Sequence, residues 1–411
     1  MRYQVESEDL LIFGDGRPFG ETATFDGFSL TWPNPQTMTG MMRSVMGHDQ
    51  SEDFFDAKNS KHKANIEKIM TLGVTRILPM HRNVSSMDNW LPLLPFPADI
   101  LLTQDDDCKD AGLTVHQAKF GPIKAQQGTD ILNKDWLYSF IESKNKPARN
   151  MPFFCHATFF EQYLKGELNE EVPYPFEQIG IASPISDTRF HNALDENTLT
   201  TKQGKLFCDT GFYLKAPTKP NLPGGMASHL CDLSIHFDIN MTELIDKENM
   251  AELTSNRAYL GGERKQVWLN KSQSDFFPIL DIFDQKSCLK VILTTQGDFG
   301  GWCPDWLMPD LTKRDIAFVN IPNTQYKVRL RTANIKGWDA ISGWNYVTKR
   351  PKATRKLVKA GTVYLLEIQN PDESSEIAAH LWGNTLCAPD SATAKNGYGQ
   401  CVIGNVTIFS Q

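Results

Sequence analysis

Short apolar runs that alternate with polar residues dominate the second half of the sequence and restrict the folds it can adopt. These runs are LSIHFDI (233–239), CLKVILTT (288–295), YKVRLRT (326–332), TVYLLEI (362–368) and QCVIGNVTIF (400–409). Their length, their β-branched residues and the glycines between them predict β-strands. Two helices are predicted among them, in MTELIDKEN (241–249) and ESSEIAAHLWGN (373–384). The pattern indicates an α+β fold.

The first half mixes the same kinds of element. Residues 1–14 predict a strand that ends in the turn GDG. The segment TWPNPQTMTGMMRSVMG (31–47) predicts a helix that is capped by Thr37 and ends at Gly47, because prolines cannot lie inside a helix. FDAKNSKHKANIEKIM (55–70) predicts a polar helical insertion, and residues 170–215 predict strands around an exposed polar hairpin.

A chain of 411 residues is too long for one ordinary hydrophobic core, so two domains are expected. The segment APTKPNLPGG (216–225) has three prolines and two glycines and is the best candidate for a boundary. The predicted domains are therefore 1–220, with polar insertions, and 221–411, with a C-terminal glycine-rich loop.

Composition and cysteine spacing indicate a cytoplasmic protein. No apolar run approaches the roughly 20 residues that a membrane helix needs. The N-terminus MRYQVESEDLLIF is acidic and strand-like, unlike a signal peptide. The eight cysteines include no CxxC pair, which favours buried reduced thiols over a disulfide framework or a zinc site. We expect neither a cofactor nor a metal.

Positive charge is concentrated in one part of an acidic chain. The sequence has a net charge of −7, but residues 320–360 contain ten Lys/Arg and a single acid, Asp339. Six of these cations lie close together: Lys349, Arg350, Lys352, Arg355, Lys356 and Lys359. Because Pro351 interrupts any helix, they are predicted to lie on a loop or hairpin arm. Such an arm suits the phosphates of a polyanion, and a solvated surface loop is the alternative.

Three further motifs could contact phosphates. LIFGDGRPFG (11–20) ends a strand in a glycine turn that presents Arg17, and PNPQTMTGMMR (33–43) places Gln36 and Thr37 at a helix N-terminus with Arg43 two turns later. YLGGERKQV (259–267) presents Arg264 and Lys265 after two glycines. The alternatives are solvated turns and, for the second motif, a capped helix packed by its methionines.

The fourth motif is AKNGYGQCVIG (394–404), which leads directly into the last strand. Its spacing differs from the dinucleotide-binding G-x-G-x-x-G, and no Walker G-K-[ST] follows. A loop with Gly397 and Gly399, a nearby Lys395 and an exposed Tyr398 suits a sugar–phosphate backbone with a base stacked on the ring. A plain glycine hairpin is the alternative. Phe19 and Trp344 are further candidates for base stacking.

No catalytic constellation is evident. The nine histidines are dispersed, and no GxSxG motif is present. A lone residue such as His48 could act as a general base, but a structural histidine is the commoner case.

Taken together, the motifs resemble the RAMP superfamily of CRISPR proteins, and more narrowly the Cas5-like third subunit of the type III-B (Cmr) effector complex. LIFGDGRPFG, PNPQTMTGMMR, LPLLPFPADI, EQIGIA, YLGGERK, SGWNYVTKRPKATRKLVKAGTVY and GYGQCVIG occur in the order typical of that family. The resemblance spans nearly the whole chain. It is poorest at 104–135 and at SPISDTRFHNALDENTLTTKQGKL (183–206).

The resemblance implies two ferredoxin-like (RRM-like) domains and a protein that is not an enzyme. Such a subunit holds the 5′ handle of the CRISPR RNA and joins the large polymerase/cyclase-like subunit to a Cas7-type backbone subunit. If four of the six clustered cations contacted single-stranded RNA, log K would fall against log salt with a slope of about −3.

Two other functions are open at this point. A metal-independent RAMP endoribonuclease would cut repeat RNA with His48, or with Tyr398 and a lysine. A protein–protein assembly module would carry the basic charge incidentally.

Overall fold

A computed structural model of the chain describes residues 1–15, 26–27, 29–83, 89–104, 112–122, 135–195, 198, 200–220, 229–240, 256–272, 277, 283–310, 312–313, 315–345, 350–406 and 408. The helices in this part of the chain are α1 (Pro35–Gln50), α2 (His62–Ile69), α3 (Ala157–Lys165), α4 (Phe176–Ile179), α5 (Ser374–Leu381) and α6 (Ala392–Lys395). The fold is a mixed α+β arrangement, as predicted.

The strands follow one another along the chain and pair mostly in antiparallel fashion. They are β1 (Arg2–Glu6), β2 (Asp26–Gly27), β3 (Gly73–Asn83), β4 (Leu91–Pro95), β5 (Ile100–Thr103), β6 (Thr114–Gln117), β7 (Lys119–Pro122), β8 (Leu137–Phe140), β9 (Phe154–His156), β10 (Gly180–Ile181), β11 (Ser186–Leu194), β12 (Thr201–Phe212), β13 (Lys215–Pro217), β14 (Leu230–Asn240), β15 (Arg257–Tyr259), β16 (Gln266–Lys271), β17 (Cys288–Leu293), β18 (Val319–Asn320), β19 (Lys327–Asn334), β20 (Trp338–Ile341), β21 (Trp344–Asn345), β22 (Arg350–Pro351), β23 (Arg355–Val358), β24 (Val363–Ile368) and β25 (Cys401–Gly404). The strand predictions for the second half are confirmed by β14, β17, β19, β24 and β25.

The first sheet has the order β10-β9-β4-β3-β14-β1-β16-β15, with β13 paired to β14. The apolar residues of β1, β14 and β16 alternate, so that every second side chain faces α1. Helix α1 covers this face with its buried methionines Met38, Met41, Met42 and Met46. The methionine stripe is therefore core, in agreement with the structural alternative given for that motif.

The second sheet has the order β18-β19-β24-β17-β25. Strands β17 and β24 lie at its centre and are buried along almost their whole length, because α5 covers one face and other parts of the chain cover the other. The predicted helix at 373–384 is confirmed by α5. The predicted helix at 241–249 lies outside the described residues.

A hairpin arm extends from the second sheet after β19. Its lower part pairs β20 with β23, and its upper part pairs β21 with β22. The arm therefore carries the basic stretch, which confirms the prediction of a hairpin. The polar hairpin predicted within 170–215 is also present, as β11 paired with β12.

Buried polar residues join the two sheets. The Gln400 side chain accepts from the Ile77 N–H at 3.0 Å and donates to the Val74 carbonyl at 3.3 Å, which connects the start of β25 to β3. Elsewhere, Lys290 of β17 forms an ion pair of 2.9 Å with Asp99, which also accepts from the Tyr163 hydroxyl at 2.6 Å. The side chains of Lys290, Asp99 and Tyr163 are almost fully buried.

Several local predictions are wrong in detail. Helix α1 is capped by Asn34 rather than Thr37, and Pro35 occupies its first turn. The helix continues through Gly47, against which the rings of Phe54 and Phe55 pack. The predicted strand over residues 1–14 is regular only in β1, and the helical insertion at 55–70 is helical only in α2.

The strand pairing does not follow the predicted domain boundary at residue 220. Strands β14, β15 and β16 follow residue 220 in sequence but pair with β1 and β3 in the first sheet. Residues 221–225 of the predicted linker lie outside the described part of the chain.

Six of the seven cysteines in the described part of the chain are buried and all seven are free thiols, as the spacing predicts. None of the helices formed by the described residues is long and apolar enough to cross a membrane.

Candidate nucleic-acid interface

The arm presents three cations that have no carboxylate partner among the described residues: Arg350, Lys352 and Lys356. All three are exposed. Of the other cations in the predicted cluster, Lys359 pairs with Asp339 at 3.3 Å and Arg355 pairs with Asp298. Lys349 lies outside the described residues. The charge available to a ligand is therefore smaller than the sequence alone suggests.

Arg355 connects the arm to helix α1. One of its guanidinium nitrogens donates to Gln36 Oε1 at 2.6 Å, and the other contacts Asp298. Gln36 lies in the first turn of α1, and its amide nitrogen approaches Gly343, between β20 and β21 of the arm. Two of the predicted residues are thus brought together, but Arg355 is engaged within the protein and acts as an anchor for the arm.

Electrostatic repulsion marks the region around Lys352. Partial desolvation, followed by the nearby positive charges of Arg355 and Arg43, lowers the pKa of the Lys352 ammonium. Like charges held close together favour the binding of an anion, because the anion relieves their repulsion. Arg43 and Lys352, far apart in sequence, therefore contribute to one electropositive region beside the middle of the arm.

The expectation of an exposed Tyr398 is wrong. Its ring is fully buried, with the Arg355 guanidinium 5.3 Å from the ring centroid. The hydroxyl donates to Asn34 Oδ1 at 3.3 Å, and burial raises the pKa of Tyr398 to about 12. Tyr398 can neither stack on a base nor act as a catalytic acid or base where it lies.

The glycine loop is also closed by the protein itself. Gly397 and Gly399 both have positive φ, of 84° and 70°. A Cβ on Gly397 would lie 2.9 Å from the Val74 carbonyl oxygen and 2.9 Å from Ile77 Cδ1. The glycines therefore allow this loop to pack closely against β3, where the sequence predicted close approach of a ligand.

Arg43 and Thr37 make contacts that hold α1 in place. Arg43 donates to the carbonyls of Met70 and Leu72 and to Asn396 Oδ1, at distances between 2.9 and 3.3 Å. Burial lowers the pKa of Arg43 to about 10. The Thr37 N–H donates to the Asn34 side chain at 3.1 Å, so that this donor of the helix N-terminus already has a partner.

The remaining predicted residues lie elsewhere. Arg264 and Lys265 occupy the turn between β15 and β16, where Arg264 is exposed and Lys265 forms ion pairs with Asp9 and Glu263. Lys395 ends α6, beside the glycine loop. Arg17 and Phe19 lie outside the described residues, and the surroundings of the Trp344 side chain are not described.

Trp338 is a candidate that sequence reasoning missed. It begins the arm at β20, 57% of its surface is exposed, and the Lys356 ammonium lies 4.9 Å from its ring. An exposed tryptophan beside a lysine can stack on a base while the ammonium contacts a phosphate. Because Trp338 pairs with Val358, Lys356 is its diagonal neighbour on the same face of the ribbon.

Within the described residues, no group of three or more His, Cys, Asp or Glu side chains could hold a metal ion. The arrangement at the arm is instead a set of exposed cations beside one aromatic ring, a chemistry that suits an anionic polymer.

Comparison with known proteins gives a family match over almost the whole sequence. The model of the family described as CRISPR-associated protein (Cas_Cmr3) matches residues 3–406. No curated protein matches the sequence.

Several solved structures are similar to this chain at low identity. Two cryo-EM structures of the Type III-B Cmr-beta bound to cognate target RNA, one of them also with AMPPnP, match at 12% identity with TM-scores of 0.43 and 0.42. Each match covers 97% of this chain and 95% of the other. A crystal structure of the Csm3–Csm4 subcomplex in the type III-A CRISPR-Cas interference complex matches at 12% identity with a TM-score of 0.34, over 90% of this chain and 94% of the other.

Proposed function

The chain belongs to the Cas_Cmr3 family of CRISPR-associated proteins, and from this premise we propose that it is the non-catalytic RNA-binding subunit of a type III-B effector complex. In this proposal it holds the 5′ handle of the CRISPR RNA. It also bridges the large polymerase/cyclase-like subunit and the Cas7-type backbone. Two ferredoxin-like domains are part of the proposal. The strand pairing supports a domain boundary between Lys271 and Cys288 better than one at 220/221, because β14, β15 and β16 pair within the first sheet.

The proposal depends mainly on three exposed cations of the arm. Arg350, Lys352 and Lys356 project from one ribbon, are exposed and have no carboxylate partner among the described residues. Cations of this kind contact phosphates without reading sequence, and Trp338 supplies a ring for one unstacked base. Arg355 and Gln36 fix the middle of the arm to α1, so the cations are presented from a supported ribbon.

The endoribonuclease alternative finds less support in the geometry. His48 is 12 residues from Gln36 along α1, or roughly 18 Å at 1.5 Å per residue, and so is distant from the arm. Its Nδ1 lies 2.7 Å from the Ser44 carbonyl oxygen. Tyr398, the other residue considered for cleavage, is fully buried.

The acidic remainder of the chain fits a subunit that also contacts proteins. Outside residues 320–360 the net charge is −16. Faces of this charge repel RNA and favour basic partner surfaces. An assembly role and a handle-binding role therefore use different parts of the molecule.

The test is to isolate the effector complex through a tag on this chain and to sequence the 5′ ends of the RNA that it retains. We expect one defined 5′ end in the wild-type complex and its loss in the R350E/K352E/K356E variant. In parallel, labelled repeat RNA is incubated with the purified chain in EDTA. Appearance of a cyclic-phosphate product would establish the nuclease instead, and retention of random 5′ ends would refute handle binding.

A further inference from the structure

A second exposed surface lies on the edge hairpin formed by β15 and β16, on the face of the first sheet opposite to α1. The inward residues Ala258, Val267 and Leu269 are buried in the core with the methionines of α1. The outward positions are exposed, with 62% of Tyr259 and 42% of Trp268 accessible. Strand alternation thus places two large aromatic rings on one accessible face.

Each ring is accompanied by an arginine. The Arg257 guanidinium lies 5.0 Å from the centroid of the Trp268 ring, directly across the ladder. The Arg264 guanidinium lies 5.9 Å from the Tyr259 ring. Arginine and aromatic side chains side by side offer flat surfaces for bases together with positive charge for phosphates.

Charge separates this hairpin from the rest of the molecule. Residues 256–272 contain four Lys/Arg and one acid, Glu263, for a net charge of +3 in a chain of net charge −7. Glu263 is directed to Lys265, with which it forms an ion pair of 3.6 Å. Lys265 is also paired with Asp9 at 3.9 Å, so the positive charge next to the two rings comes from Arg257 and Arg264, and it favours an anionic partner.

The spacing of the rings fits a single strand. Tyr259 faces Gln266 and Arg257 faces Trp268, so the two aromatic residues are diagonal neighbours on adjacent strands. Diagonal neighbours are about 7–8 Å apart, roughly twice the 3.4 Å step of one stacked nucleic-acid strand. Two unstacked bases of one strand can therefore reach both rings.

We propose that Tyr259 and Trp268, flanked by Arg257 and Arg264, form a stacking platform for single-stranded RNA that is separate from the arm. The proposal rests on the proposed function only for the identity of the polymer as RNA. It differs from the arm in mechanism, because stacking tolerates any base and depends less on salt than phosphate contacts do.

The experiment measures binding of a fluorescein-labelled 20-nucleotide oligouridine, which has no handle sequence, to the full-length chain by fluorescence anisotropy. We expect Trp268→Ala and Tyr259→Ala each to weaken binding roughly tenfold, as the loss of one stacked base predicts. Trp268→Phe and Tyr259→Phe keep a ring and should restore most of the affinity. Tyr138→Ala removes a tyrosine of 45% exposure on β8 and serves as the matched control, with no change expected.

The outcomes separate this proposal from its rivals. Unchanged affinity in both alanine variants, or no binding of oligouridine by the wild-type chain, would overturn the platform. Unchanged RNA affinity together with failure to assemble with the other subunits would assign the surface to a protein partner. The arm variant R350E/K352E/K356E is measured on the same oligonucleotide and on handle RNA. If the arm variant loses the handle RNA and the ring variants bind oligouridine normally, the proposed function stands and the platform is refuted. If the ring variants lose oligouridine and the arm variant keeps the handle RNA, the platform stands and the proposed function is refuted.

Discussion

The guanidinium of Arg355 lies over the ring of Tyr398, with Cζ 5.3 Å from the ring centroid and Nη2 3.4 Å from the phenol oxygen. Arg355 belongs to β23 of the arm, and Tyr398 to the glycine loop that precedes β25. This contact connects the two most conspicuous motifs of the sequence, but the tyrosine ring in it is fully buried and Arg355 is only partly exposed.

Removal of the Tyr398 hydroxyl should therefore change stability and leave RNA binding unaltered. Tyr398→Phe loses hydrogen bonds to Asn34 and Arg355, which we expect to cost about 1 kcal/mol of unfolding free energy in urea. Tyr398→Ala empties a buried site and should cost about 3–5 kcal/mol. If Tyr398→Phe weakened RNA binding at unchanged stability, the hydroxyl would have to contact RNA after all.

Reversal of the exposed arm charges should weaken RNA binding and lower its salt dependence. Three phosphate contacts to a single strand predict a slope of log K against log salt of about −2, compared with about −3 for four contacts. The variant R350E/K352E/K356E should remove most of this slope. The control K58E/K61E/K63E makes the same change of charge at exposed lysines around the start of α2 and should retain it. Equal losses in both variants would show that only net charge matters.

Arg355 is unsuitable for such a test, because its side chain is engaged by Asp298 and Gln36. We expect Arg355→Glu to lower the melting temperature as well as RNA affinity. A charge reversal at Arg355 that weakened RNA binding without any loss of stability would indicate that it contacts RNA directly.

The glycine loop should be intolerant of side chains for reasons of packing. Gly397→Ala combines a positive φ with a Cβ only 2.9 Å from backbone and side-chain atoms of β3. Gly166→Ala has a similar φ of 76° but no atom within 4 Å. In both variants the left-handed backbone should lower the unfolding free energy by about 1–2 kcal/mol. Any additional loss in Gly397→Ala therefore reports the close contact of the loop with β3. Equal losses in urea denaturation would contradict that contact.

A pair of neighbouring histidines, of which His81 is buried, should make stability depend on pH. His81 Nε2 and His156 Nδ1 lie 3.1 Å apart, and burial together with His156 lowers the pKa of His81 to about 4. In the unfolded chain the pKa of His81 is near 6.5, so below pH 6.5 the unfolded chain binds a proton that the folded protein does not. The free energy of unfolding therefore falls as the pH decreases from 6.5 towards 4. The contribution of His81 is roughly 2 kcal/mol between pH 7 and pH 5.

The variant His81→Asn should reduce this pH dependence, whereas His380→Asn, at an exposed position of α5, should retain it. The measurement is the urea midpoint at pH 7 and pH 5. An identical loss of stability on acidification in wild type and His81→Asn would rule out the pair as its source.

The buried ion pair between Lys290 and Asp99 should behave as a unit. Lys290→Met leaves the Asp99 carboxylate buried without its cation, which typically costs about 3–5 kcal/mol. The double variant Lys290→Met with Asp99→Leu removes both charges and should recover much of that loss, although Tyr163 then lacks its acceptor. Additive losses in the two single variants and the double variant would show that the two charges do not interact.

Local pattern was a good guide to the strands of the second half and to the hairpin arm. The apolar runs at 288–295 and 362–368 form the buried centre of the second sheet. Pro351 excludes a helix at the basic stretch, and this segment is indeed a hairpin. The cap of α1 was misplaced, because Asn34 and Thr37 both have cap chemistry and only the backbone conformation distinguishes them.

The candidate site was predicted less well than the fold. The sequence indicated which residues could contact RNA but not which of them the protein uses internally. Arg355, Tyr398 and Arg43 have the right chemistry for a ligand, yet their partners are Asp298, Asn34 and Asn396, each distant along the chain. Trp338 went unnoticed because only the pairing of β20 with β23 brings Lys356 beside its ring.

The sequence by itself determined the α+β character, the basic arm and the family, because periodicity, charge and motif order are all local properties of the chain. Tertiary structure alone decided that the glycine loop faces β3 and that Arg355 anchors the arm. It also decided that Tyr259 and Trp268 share an open face. Burial and pairing depend on which distant segments meet, and a buried donor must find its acceptor among them.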